Sequence, residues 1–273
     1  KGRKDKQRAE GAKVALEETQ RRQKKVDKQR VKDEASGRVS TTKRTKKFWF
    51  ERNRWTMLSS GQLLVGGRDA KGNDQIVKKH LTSADLYFHA DLHGAPSCTL
   101  KLKEGFEEDP NPNPTLPEGV PSLRLTQSLD ISEHPEEALP EAAQMAVCWS
   151  RAWGSGGAAA TAFHAKQGQV SKTTESGESL GRGAFVVRGN RHWYKDLNMA
   201  ITLGMVAING IPLPIVGAHG VISTFCQRWI RLTPGTQKKE QVATQIAKAT
   251  GLLQDDVLSA LPPGNLSIGE NQG

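Results

Sequence analysis

Asp85-Leu86-Tyr87-Phe88-His89-Ala90-Asp91-Leu92-His93-Gly94-Ala95-Pro96-Ser97 reads as a strand running into a turn, and the rest of the chain is arranged around it. Leu86, Tyr87 and Phe88 favour extended backbone, and Gly94 and Pro96 end or turn it. If the strand continues to His93, period-two alternation puts His89, Asp91 and His93 on one face. Two imidazoles and a carboxylate are costly to bury unpaired. Three readings stay open at this point. The stretch is a polar, hydrogen-bonded strand end, a face for nucleic acid, or a metal site built from His-x-Asp-x-His.

The charge distribution bears on that choice. The 273 residues carry a formal net charge of +10. Residues 1–47 hold 18 Lys/Arg against 7 Asp/Glu, an excess of eleven positive charges, and the remainder is one short of neutral. Basicity is thus a property of the leading arm, an asymmetry that points to a polyanion partner. Cys98, Cys148 and Cys226 are widely spaced and form no C-x-x-C, which excludes a zinc ribbon and fits a reducing compartment. No apolar run approaches the roughly 20 residues that cross a bilayer, so no membrane partner is expected. The first residue is Lys1 rather than Met, and the sequence reads as a fragment.

Residues 1–36 are rich in Lys, Arg, Gln, Glu and Ala and predict a helix, with a partly polar seam at Ala12, Leu16, Thr19, Gln23, Val26 and Arg30. Residues 35–47 read as a basic linker. Phe48-Trp49-Phe50 opens a globular part in which 55–58 and 62–65 form a hairpin across Ser59-Ser60-Gly61. A short helix over 75–81 follows, capped by Asn73 or Asp74; the glycines before it and the helix N-terminus could cradle a phosphate, or, since no nucleotide-binding fingerprint is matched, the stretch is a plain hairpin-to-helix connection. Strands are predicted over 97–102, 158–165, 184–189, 213–216 and 229–232. The acidic, proline-bearing stretch 104–135 reads as a flexible surface loop. Pro140 suits a first helical turn, and Ala142, Met145, Ala146, Trp149, Ala152 and Trp153 recur at helical spacing. The helices 240–250 and 255–261 close the chain, the first opening with Lys238 and Lys239. The fold class is therefore α+β: a mixed, largely antiparallel sheet with packed helices, preceded by a long basic helix and followed by a small α/β module. The divisions are 1–47, 48–207 and 208–273.

In their order and spacing, Phe48-Trp49-Phe50-Glu51, Gly66-Gly67-Arg68-Asp69, Asn73-Asp74, Asp85 to Ala95, Gln169-Val170-Ser171-Lys172 and Gly183 to Gly189 resemble the RNA-binding domain of the NFACT family of ribosome quality-control factors. Leu213-Pro214 and Thr233 to Lys239 look like that family's C-terminal domain, and the leading helix resembles the returning arm of its coiled coil. The sequence departs from the family at Phe163-His164, where paired aromatics are usual, in a longer loop near Pro110, and in a reduced acidic tract near Asn209. The family's tRNA-contacting N-terminal domain and outgoing coiled-coil helix do not occur in these residues.

The resemblance implies a cytoplasmic factor with a nuclear pool, not an enzyme and without cofactor. It would bind the rRNA of a stalled large ribosomal subunit and tRNA, support C-terminal tailing of the nascent chain, and help a listerin-type E3 ubiquitin ligase bind. Arg68, His89, His93, Lys172 and Arg188 are expected on an RNA-facing sheet edge, with Asn73, Asp91, Arg191, Lys238 and Lys239 completing the candidate set. No fourth ligand lies near His89, Asp91 and His93, so no stoichiometric zinc is expected. Two other readings remain: a metal-dependent hydrolase using that cluster, and a coiled-coil scaffold without RNA contact.

Overall fold

The computed structural model describes residues 2–156 and 159–272. Its first half is built on the predicted hairpin. β1 (Arg54–Met57) pairs antiparallel with β2 (Gln62–Gly66), Thr56 opposite Leu64. β3 (Leu86–Ala90) and β2 both pair with β4 (Cys98–Glu108), the longest strand. Leu63, Leu64, Val65, Phe88 and Leu100 are fully buried, which is why these segments extend: both faces of this part of the sheet are covered.

The segment 104–135 is not the loop that its composition predicts. It carries the second half of β4 and all of β5 (Ser122–Thr126), which pair from Gly105↔Thr126 to Glu108↔Leu123. Phe106 and Leu123 are buried, and Arg124 reaches Glu107 at 2.7 Å across the pair. Two short alternations of apolar and charged residues were enough to make strands, despite prolines and acidic residues between them.

On the far side of β3 lie β6 (Ala159–Lys166) and the edge strand formed by residues His192–Asn198. In the chain between these two directly paired strands, β7 (Val170–Ser171) and β8 (Val186–Val187) make a separate two-stranded ribbon. The edge strand is β9. Beyond β5, β10 (Ile201–Ile208) joins by a parallel contact at Ala207↔Ser122 and Ile208↔Leu123. β10 also pairs with β11 (Ile211–Gly217) and β12 (Trp229–Gln237), and β12 pairs with β13 (Leu266–Gln272). The result is one eleven-stranded, mostly antiparallel sheet. The expected division at 207/208 falls at the end of β10, and strands from both sides of it share this sheet.

The helices are α1 (Gly2–Ala35), α2 (Ala70–Gln75), α3 (Ala138–Cys148), α4 (His219–Phe225), α5 (Lys239–Thr250) and α6 (Gln254–Ala260). α3 buries Ala138, Ala142, Met145 and Ala146 against the sheet. It ends at Trp149 rather than running on to Trp153. Trp153 belongs to a 3-10 turn, Arg151–Ser155, and is buried with its indole N–H donating to the Asn265 carbonyl at 3.0 Å. The predicted linker is also tied down. Val39 is buried and its N–H donates to the Thr250 carbonyl at 2.8 Å, and Arg44 forms a two-pronged pair with Glu51. Gly251 ends α5 with φ +80°, and a Cβ there would collide with the Val39 carbonyl, so only glycine fits.

Candidate nucleic-acid interface

β3 stops at Ala90, short of the length that would align the three polar residues. The Leu92 N–H turns back to the Ala90 carbonyl at 2.7 Å and the Ala95 N–H to the Leu92 carbonyl at 3.2 Å, so the chain folds over itself. His89 remains on the strand and is half-buried, whereas Asp91, Leu92, His93 and Gly94 are exposed on the turn. The shared face expected for His89, Asp91 and His93 is therefore not formed. Among the described residues no group of three or more His, Cys, Asp or Glu could hold a metal ion.

The turn instead forms one wall of a cleft of about 660 Å³. Residues 67–70, at the start of α2, and residues 182–187, before and within β8, form other walls. α2 is capped by Asp69, whose carboxylate accepts the Gly72 N–H at 2.6 Å, and not by Asn73 or Asp74. Asn73 is buried and holds the two walls together: its side-chain oxygen accepts the Ser97 N–H at 3.0 Å. A Cβ on Gly67 would occupy the place of that amide oxygen, which accounts for the glycine.

Five arginines line the cleft: Arg54, Arg68, Arg151, Arg182 and Arg191. Asp69 and Asp91 are the acidic residues among its lining. Among the described residues, none of the five guanidiniums forms an ion pair with a carboxylate. Several are instead aimed by neutral carbonyls. Arg54 donates to Leu261 O at 3.1 Å, Arg68 to Asn53 O and Ser259 O at 3.1 and 2.7 Å, Arg151 to His93 O at 2.7 Å, and Arg191 to Val187 O at 3.0 Å. Burial, with the charge of Arg68 nearby, pushes Arg54 down to about 10, so it still carries its proton at neutral pH. Five guanidiniums against two carboxylates, with no ion pair between them among the described residues, favour an anion, and a guanidinium matches the oxygens of a phosphate.

The other walls are apolar. Tyr87, Trp149, Phe163 and Phe185 line the cleft, and the Arg191 guanidinium lies 4.8 Å from the centre of the Phe163 ring. His89 also lines it. Its Nε2–H donates to the Ala95 carbonyl at 3.1 Å, since a carbonyl can only accept. Burial lowers its pKa, against smaller opposing effects of backbone hydrogen bonds to Ala90 and Ala95 and of Asp91.

The candidate residues thus divide. Arg68, Asn73, His89, Asp91, His93 and Arg191 come together at the cleft. Lys172 and Arg188 do not line it. The Lys172 ammonium donates to Asp74 at 3.0 Å, Gly181 O at 2.7 Å and Ala184 O at 3.1 Å, which uses all three of its donors. Arg188 donates to the carbonyls of Thr173 and Thr174 at 2.8 and 3.1 Å, holding the hydroxyl-rich loop. Lys238 and Lys239, at the start of α5, lie outside the cleft as well. Sequence reasoning missed Arg54 and Arg151, which reach the cleft from β1 and from the turn after α3. Arg54 lies among aromatics in Arg52-Asn53-Arg54-Trp55, a pattern that suits base stacking as well as packing of the aromatics into the core.

A family model described as the NFACT protein RNA binding domain matches residues 46–189. The chain is 33% identical over 228 residues to the archaeal Rqc2 homolog aRqcH of Methanocaldococcus jannaschii, covering 82% of this chain and 30% of that protein. It is 38% identical over 155 residues to the ribosome quality control complex subunit NEMF of Homo sapiens, covering 57% of this chain and 12% of the relative. With ribosome quality control complex subunit 2 of Schizosaccharomyces pombe it shares 28% identity over 198 residues, 72% of this chain and 17% of that one. The chain thus spans less than a third of the length of these curated relatives.

Proposed function

The chain belongs to the NFACT family, and from that premise we propose that it is the RNA-binding part of a ribosome quality-control factor, with the arginine-lined cleft as its RNA contact. The observation that carries the reading is the convergence of five guanidiniums with no carboxylate partner among the described residues. Phosphate contacts supply most of the affinity of such proteins for nucleic acid. The names of the relatives support the ribosome as the setting. In this reading the rRNA of the large subunit and tRNA are the polyanions, and the place of action is the cytoplasm. Tailing of the stalled chain and recruitment of a listerin-type ligase belong to the whole factor.

Peptide-bond chemistry then stays with the ribosome, and the protein is a binding factor rather than an enzyme. The hydrolase reading would need His89, Asp91 and His93 on one face as a metal-binding group, and among the described residues no such group of three is formed, although all three border the cleft. Residues 48–207 contribute most of the cleft, and Pro263, with the carbonyls of Ser259 and Leu261 that hold Arg68 and Arg54, comes from 208–273.

Charge reversal at exposed cleft residues tests the proposal. Arg151→Glu and Arg182→Glu are each expected to weaken large-subunit binding and to reduce the slope of log affinity against log salt by about one per lost phosphate contact. Binding and slope unchanged in both folded variants would remove the cleft from the RNA contact.

A further inference from the structure

We infer that the cleft takes a single unpaired nucleotide of the bound RNA, swung out of its stack, and not the backbone of a double helix. The inference rests on the RNA-binding reading above and adds the form in which RNA enters. The cleft is concave and its volume of about 660 Å³ is that of a small-molecule site. Phosphates of a duplex lie on a convex cylinder and meet the rim of such a cleft. A nucleotide turned out of a loop or single strand can carry its phosphate inside, as RNA-reading proteins commonly require.

The composition of the walls points the same way. A phosphate backbone needs cations alone. Here Phe185 lies beside the arginines and, unlike the buried Tyr87 and Phe163, keeps part of its ring exposed for a planar base to rest on. Phe185 is half-buried rather than buried, and the Lys172 ammonium sits 4.5 Å from its ring centre, which fixes the ring without a second aromatic against it. Phe185 is therefore assigned the base, and the guanidiniums the phosphate.

Backbone groups of the 91–97 turn are engaged, whereas the side chains of Asp91 and His93 are exposed on it. Asn73 holds the Ser97 N–H, and the Ala95 carbonyl takes His89.

The test uses the whole 273-residue chain and adenosine monophosphate as probe, followed by calorimetry or amide chemical shifts. AMP is expected to saturate the cleft. Adenosine should bind at least about tenfold more weakly for want of the phosphate. Phe185→Ala should weaken AMP by about tenfold, and Phe185→Trp should restore it. A single-stranded oligonucleotide should displace AMP at lower concentration than AMP itself requires, and an RNA duplex should not displace it. The inference is overturned if AMP fails to saturate by roughly 10 mM, if Phe185→Ala leaves its affinity unchanged in a folded protein, or if duplex and single strand compete equally. AMP binding that no single strand displaces would make this a free-nucleotide site, which also overturns it. The broader reading is judged separately, by the response of large-subunit binding to Arg151→Glu and Arg182→Glu.

Discussion

Replacing Asp85 with alanine should unfold this protein more readily than any change in the cleft. Asp85 is 4% exposed and its carboxylate accepts four hydrogen bonds: Lys101 Nζ at 2.5 Å, the Thr82 N–H and hydroxyl at 2.9 and 2.8 Å, and the Leu102 N–H at 3.0 Å. Lys101 is itself buried and, among the described residues, otherwise donates only to the His80 carbonyl, at 2.6 Å. Asp85→Ala strands that ammonium away from water without a counter-charge, and breaking a buried pair in this way costs about 3–5 kcal/mol. The Thr82 and Leu102 amides sit near solvent, so water replaces much of what they lose and they add little. For a chain of this size the loss corresponds to a fall of about 10 °C in Tm. The double variant Asp85→Ala/Lys101→Met removes the stranded charge and should recover most of the loss. Equilibrium urea unfolding, followed by tryptophan fluorescence, reads both variants. A single variant within about 1 kcal/mol of the parent, or a double variant as damaged as the single, would refute the reasoning.

Lys172→Glu should behave differently from the cleft reversals: it repels Asp74 and frees the 181–184 turn, so protease sensitivity of that loop rises before RNA affinity falls. His164 is pushed down to about 4, chiefly by burial and then by His192 and His134, whereas its ordinary value is 6.5. The unfolded chain therefore binds more protons between pH 6.5 and 4, and stability present above pH 6.5 is lost as pH falls through that window. His164→Gln should flatten the dependence of the urea midpoint on pH over the same interval. Because burial also lowers His89, any gain in RNA affinity from its protonation should begin below pH 6.5. Deleting residues 1–31 should flatten the salt dependence of RNA binding with stability unchanged; extending the deletion to 47 also removes the buried Asp33 and Val39, with Arg44, from the body and should lower the urea midpoint.

What the sequence made legible was local. The 54–66 hairpin has a turn between two apolar segments, the strand over 86–90 has aromatic and apolar residues, and α5 has both period and a glycine stop, so each could be read without its neighbours. β10 could not. All eight of its residues are buried, so the alternation that marks a half-exposed strand is missing. β9 and β13 failed for the opposite reason: they are edges, mostly solvated, and His192–Asn198 and Leu266–Gln272 look like loops in composition. The cleft was half legible. A basic residue in a sequence has no visible partner, so Lys172, spent on three acceptors, looked the same as Arg151, which has no carboxylate. Only the fold distinguishes a cation already satisfied from one left for a ligand.

The joint between β5 and β10 has a consequence for the time at which this protein can fold. β5 leaves the ribosome about 75 residues ahead of β10. At roughly 5–20 residues per second, the β5 edge waits about 4–15 seconds for the strand that covers it. During that interval the β3–β4–β5 part of the sheet ends in unpaired backbone, with Leu123 still lacking the strand that pairs beside it. Slow synthesis or premature arrest between residues 126 and 201 would release chains with that edge open, and an open apolar edge recruits other strands. The yield of soluble protein should therefore depend on translation speed through this interval more than through the segments encoding residues 1–85 or 209–273.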